Sequence, residues 1–300
     1  MGSGNLANAV RNGQFVVMAE CTPPRSIKTD QLKSCISALS NMTHAMSVPE
    51  CEDGIRMSSL AACIHLAAAG AEPVLHILTR DSNRIALQAM ILGAASMGIN
   101  NIFCTTGRHQ VLTSSRSARG VYDIDQIQLL TIADKLRKTG ELADGQSIDS
   151  PIDMLLGTET NPFSDPMELQ VMALEKAIAA GADFIVTAPV FNLEKFNTWM
   201  DMLRQRNLVE RACVIASVMP ILSSQQAADL AQKYSHLDIS DDIVRRLDSA
   251  SDSKSAGIDL AREIITSLRA TDGIRGIHLV TGEDFTLAKE ILSISGLARS

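Results

Sequence analysis

Residues with chemical potential recur directly after short apolar runs. Glu20 follows the apolar segment at 15–19, and Cys21-Thr22-Pro23-Pro24 comes immediately after it. Two prolines fix the backbone beyond the carboxylate, so it is a placed group. Such a group can act as an acid, or it can make a salt bridge at the mouth of a barrel; the residues alone leave both readings open. His76 stands inside the run Val74, Leu75, Ile77 and Leu78, which ends in Thr79-Arg80-Asp81-Ser82-Asn83-Arg84. A second run, 101–105, opens onto Thr106-Gly107-Arg108-His109.

Ile85, Leu87, Ala89, Ile91, Leu92 and Ala95 recur between those two runs at helical spacing, and Gly98 ends the pattern. The order is strand, helix, strand. It brings two consecutive strand ends side by side and puts a histidine, a charged loop and a glycine turn on one rim. His76, His109 and Glu20 come from separate segments with no ligand-pair spacing, so no metal site is expected. No serine or cysteine sits in a glycine elbow beside a base, which gives no support to a covalent nucleophile.

The same alternation extends along the chain. Strands are expected at 15–19, 44–48, 74–78, 101–105, 152–156, 184–186, 213–217 and 276–280, with helices between them at 29–40, 56–69, 124–138 and onward. Their ends carry Pro49-Glu50-Cys51-Glu52-Asp53, Gly157-Thr158-Glu159-Thr160-Asn161-Pro162, Thr187-Ala188-Pro189 and Met219-Pro220. Asn192 is placed to cap the following helix. Eight strand–helix units close a (β/α)8 TIM barrel, an α/β fold that places active groups at the C-terminal strand ends. The chain, 1–300, is therefore read as a single barrel domain. An open doubly wound sheet is the weaker alternative, because no GxGxxG follows the first strand.

Composition narrows the function classes. A net charge of -7 and a pI near 5.4 argue against nucleic acid or an anionic membrane as partner. No apolar stretch approaches the roughly 20 residues that cross a bilayer, and no secretory leader is recognisable, so a cytoplasmic location is expected. The six cysteines form no CxxC pair and read as small core residues.

Several segments in combination resemble the methylenetetrahydrofolate reductase family. They are AECTPPR around Glu20, EPVLHILTRDSNR around His76, TTGRHQ with the later VYDIDQIQLL, and GADFIVTAPVFNLEKFNTWM. The likeness covers nearly the whole chain and is greatest to the short form of acetogenic bacteria. It implies a flavin, FAD or FMN, at the C-terminal rim and reduction of 5,10-methylenetetrahydrofolate to 5-methyltetrahydrofolate. It also implies a folate substrate, an electron-donating partner subunit and an oligomer.

Carried over residue by residue, Glu20 matches the acid that opens the folate ring. His76, Thr106, Gly107, Arg108 and Thr158 fall at flavin-contacting positions. Lys176, early in the helix before Gly181, matches a cation for the flavin phosphate. Thr187 and Ala188 occupy the folate-contacting positions. The chain departs from the family pattern at Arg108 (aspartate in the family), Ala188 (glutamine), Pro49 (threonine) and Ala177 (lysine). A guanidinium near the flavin would favour its anionic reduced form and weaken hydride donation. The departures define a second reading, in which the barrel keeps its scaffold and serves as a non-catalytic binding or assembly subunit.

Overall fold

A computed structural model describes residues 2–50 and 54–297. Cys51, Glu52 and Asp53 of the expected rim loop lie outside the described residues. Eight parallel strands, β1 (Val16–Glu20), β2 (Ala45–Val48), β3 (Pro73–Leu78), β4 (Asn101–Thr105), β5 (Leu155–Thr160), β6 (Phe184–Pro189), β7 (Cys213–Val218) and β8 (Ile274–Leu279), pair in sequence order. β8 returns to β1 through Gly276 opposite Val16 and closes the barrel.

Strand alternation sorts the core into two. Val16, Met18, Val74, Phe103, Leu155, Phe184 and Ile215 point inward, and Leu6, Ala7 and Ala9 of helix α1 (Asn5–Arg11) plug the N-terminal end beneath them. The Glu72 carboxylate holds that plug by accepting the N–H groups of Asn5 and Leu6, where a negative charge suits a helix start. Intervening residues such as Val17, Leu75, Ile77, Ile102 and Val214 point outward against the helices. Inside the barrel Gly157 is obligatory, because a Cβ there would lie 2.1 Å from the ring of Phe184.

The helices following the strands are α2 (Asp30–Leu39), α3 (Ser59–Ala68), α4 (Arg84–Ser96), α5 (Gln126–Thr139), α6 (Met167–Ala179) and α7 (Leu193–Gln205). The C-terminal part adds α8 (Ser224–Lys233), α9 (Asp241–Ser249), α10 (Ser253–Ala270) and α11 (Phe285–Ile294). α7 shows why they form where they do. Asn192 accepts the N–H of Lys195 at its start, and Phe196, Trp199, Met200 and Leu203 recur at helical spacing and are fully buried. Burial of each such side chain contributes roughly 1.5–3 kcal/mol. No helix among the described residues is long and apolar enough to cross a membrane.

Several boundaries differ from the sequence expectation, three of them with a visible cause. β5 starts at Leu155, where pairing with Asn101 begins, and runs through Thr158-Glu159-Thr160, which local polarity had assigned to the rim. β6 likewise continues to Pro189 through its pairing with β7. α3 begins at Ser59 because the Ser58 hydroxyl caps it by accepting the Ala61 N–H.

Candidate functional site

The register places the site. From Glu20 the hydrogen-bonded partners run Ser47, Val74, Asn101 and Leu155 across β2 to β5. Barrel strands tilt, so a constant height climbs by roughly one residue per strand. Two steps from Glu20 therefore reach the level of His76 on β3, and four steps reach Glu159 on β5. β5 lies diametrically opposite β1 in the closed order. Glu20 and Glu159 thus face each other across the mouth, with His76 between them, in the alternate-strand layering that fills such barrels.

Two neutral imidazoles lie in and just below this layer. His278 on β8 sits between Ser47 Oγ, 2.6 Å from Nε2, and Ser217 Oγ, 3.1 Å from Nδ1. Burial pushes its pKa down to about 4. His76 stacks on Phe103 with ring centroids 4.3 Å apart, and burial, with a smaller contribution from His278, pushes it down to about 3. At neutral pH neither ring is charged. At the end of β1, Thr22 Oγ1 donates to Glu20 Oε1 at 2.7 Å. Glu50 accepts the Ser59 N–H at 3.0 Å, and burial raises its pKa despite that bond.

The β4 end is built around a glycine. Gly107 has φ +76°, and a Cβ there would lie 2.7 Å from Leu78 Cδ2. Its N–H donates to Thr105 Oγ1 at 3.1 Å, and the Thr105 hydroxyl donates in turn to Glu159. Arg80, 5% exposed, pairs with Asp81 and donates from Nη1 to the Arg108 carbonyl at 2.8 Å, which fixes the turn. The Arg108 guanidinium lies over the Tyr234 ring, 4.6 Å from its centroid, and Lys233 Nζ is 4.9 Å from the same centroid. Burial, and to a lesser extent Arg108, lowers the pKa of neighbouring His236.

Not all of the sequence-derived site residues converge. Glu20 ends β1, Thr106, Gly107 and Arg108 follow the C-terminal end of β4, and His76 lies within β3 at the level of Glu20. Thr158 has the outward parity: its hydroxyl donates to the Cys104 carbonyl at 2.9 Å and accepts from Gln126 Nε2 on α5. Thr187 is 4% exposed, donating to the Ala188 carbonyl at 2.8 Å and accepting the Ser217 N–H at 3.1 Å. Its hydroxyl belongs to the strand junction, and half-buried Ala188 follows it.

Lys176 stands in the last turn of α6 and not early in it, exposed, eight residues before β6 begins. That is the N-terminal end of the strands, remote from the rim. Sequence reasoning also passed over His278 and Tyr234, and it set Glu159 at a strand end without giving it a role. His278 had a visible signal, since Ile277-His278-Leu279 repeats the histidine-in-apolar-run pattern of His76. Tyr234 had none, because it follows a surface helix far along the chain.

A crevice of about 240 Å³ runs between α5 and α6 from the β4 and β5 ends down to the last turn of α6, lined by residues that include Thr106, Asp125, Gln126, Glu159, Ala173 and Ala177. Ala177 is the position at which the resemblance implies a phosphate-binding lysine. The lining holds two carboxylates and neither lysine nor arginine. A diphosphate there would meet like charge without a counter-cation, so these residues do not fit the diphosphate of a flavin dinucleotide. Among the described residues no group of three His, Cys, Asp or Glu side chains is placed to hold a metal ion.

Comparison with known proteins gives two findings. The family model described as methylenetetrahydrofolate reductase matches residues 5–296. Among solved structures, the chain is similar to an uncharacterized protein from Clostridium thermocellum that binds two copies of 5-methyl-5,6,7,8-tetrahydrofolic acid. The TM-score is 0.71 at 14% sequence identity, over 96% of this chain and 99% of that one. An identity that low establishes a shared fold and nothing further.

Proposed function

The chain belongs to the methylenetetrahydrofolate reductase family, and from that premise we propose that its barrel mouth binds a reduced folate and that Glu20 is the acid of the one-carbon step. The observation that carries the reading is the position of Glu20. It ends β1 at the C-terminal face, held by Thr22 and level with His76. With pKa values of about 3 and 4, the two imidazoles at and just below this level are no more basic than an ordinary carboxylate, so neither draws off a proton delivered there.

In 5,10-methylenetetrahydrofolate one carbon bridges N5 and N10. Proton transfer from Glu20 to N10 allows the carbon–N10 bond to break while the N5 lone pair forms the iminium. Hydride addition to that carbon then completes 5-methyltetrahydrofolate. The acid-lined crevice disfavours FAD, so the hydride is assigned to no resident dinucleotide. An electron-donating partner subunit would supply it from outside the chain. The same crevice favours a second reading, a barrel that binds the folate without turning it over.

One experiment separates the two. Purified protein is titrated with 5-methyltetrahydrofolate and assayed for its oxidation with added free flavin as hydride acceptor and a soluble redox dye to reoxidise it, alongside Glu20→Gln. Turnover that falls roughly 100- to 10,000-fold in the variant while binding persists supports the acid role. Binding without turnover in the native protein supports the scaffold reading, and an unchanged rate in Glu20→Gln removes Glu20 from the chemistry.

A further inference from the structure

The N-terminal end of the barrel, opposite the mouth that carries Glu20, holds a second cavity of about 150 Å³ between the plug helix α1 and the first residues of β5, β7 and β8. Its charged lining among the described residues is mostly cationic: Arg11, Arg211 and Arg275, with Asp183 and Glu210. The backbone aims Arg275 there. Val214 pairs with Ile274 and Ile215 with Gly276, so one step on β7 spans two on β8 and Arg275 is the extra residue of a bulge. A bulge re-aims a side chain. Here the half-buried guanidinium turns toward the plug and donates from Nη2 to the Val10 carbonyl. Its charge also reaches buried Cys213, whose pKa burial raises to about 11 while Arg275 draws it down.

These guanidiniums are poorly neutralised. Among the described residues Arg11 donates only to neutral oxygens, the Ala7 carbonyl at 3.3 Å and Asn8 Oδ1 at 2.6 Å, and Arg275 only to Val10. The carboxylate nearest Arg211 is Glu175 at 3.9 Å, which sits closer to Arg206 at 3.1 Å. Asp183 is committed elsewhere, accepting from Arg137 Nη1 at 2.5 Å and from the Leu156 N–H at 2.8 Å. Glu210 is exposed, where solvent and salt screen its repulsion. A half-buried cation without a counter-ion is costly, and a guanidinium has five N–H donors to satisfy. We propose that this cavity binds a small oxyanion, a phosphate or carboxylate group, gripped by Arg275 together with Arg11 and Arg211. Guanidinium forks match both groups in a bidentate way. The volume selects a small ligand, since sites that enclose a whole cofactor run to roughly 300–1,000 Å³. Because Arg11 belongs to α1, Arg211 precedes β7 and Arg275 lies on β8, the anion ties the plug to the barrel wall.

Calorimetric titration and thermal unfolding of the native protein test this with sodium phosphate, and separately with sodium succinate, each against sodium chloride at matched ionic strength. Saturable binding of an oxyanion, with a rise in thermal midpoint that chloride does not give, is the expected result. Phosphate alone identifies a phosphate group, succinate alone a carboxylate, and binding of both a site that accepts either. Arg275→Gln should raise the Kd of the anion that binds roughly 10- to 100-fold. Arg275→Lys should raise it less, since an ammonium keeps the charge and loses the fork. Glu210→Gln removes a like charge from the lining and should tighten binding. The native titrations and Glu210→Gln decide the matter even if Arg275→Gln fails to fold. No response to either oxyanion beyond that of chloride, or an unchanged Kd in Arg275→Gln, overturns the assignment. Neither readout depends on folate binding at the other end of the barrel.

Discussion

Lowering the pH from 7 to 5 reports directly on the barrel interior through His278. The imidazole is 6% exposed and lies between the hydroxyls of Ser47 and Ser217. Its pKa falls from an ordinary 6.5 to about 4 in the fold. A histidine depressed in the folded state favours folding fully above its unfolded pKa, and that stability is lost as the pH falls, because the unfolded chain takes up a proton that the fold refuses. The loss levels off only below the folded pKa. Between pH 6.5 and pH 5, at about 1.4 kcal/mol per pH unit, it amounts to about 2 kcal/mol. His278→Gln keeps an amide between the two serines and cannot titrate. Urea unfolding of both proteins at pH 7 and pH 5 should show a drop that is smaller in the variant by about 2 kcal/mol, whatever its stability at pH 7. Equal drops would refute the placement of a buried neutral histidine at the centre of the barrel.

Two substitutions test other parts of the structure. Gly157→Ala forces a methyl to within 2.1 Å of the fully buried Phe184 ring and should cost about 1–3 kcal/mol by overpacking; an unchanged thermal midpoint would contradict the interior register. Ala177→Lys supplies the cation that the acid-lined crevice lacks and should tighten FAD binding, read as quenching of flavin fluorescence on titration. Equal affinity in the native protein would mean that the crevice does not repel the diphosphate.

The sequence by itself determined the barrel and the end of it that matters. Apolar periodicity and glycine stops are local signals, and they placed β4 at the residues the structure assigns, bounded α4 closely and set Glu20 and His76 at or near C-terminal strand ends. Polar strands were not legible. Thr158-Glu159-Thr160 becomes strand only because β4 and β6 lie on either side to pair with it, and nothing within that segment announces its neighbours. The contacts that define the site are still less local. His278 meets Ser47 across 231 positions, and Arg108 meets Tyr234 from another barrel segment. Helix polarity likewise sent Lys176 to the far end of the barrel, since helices run back against the strands they connect. Whether two carboxylates oppose each other depends on register and strand tilt accumulated round a closed sheet, and only the tertiary structure decides that sum.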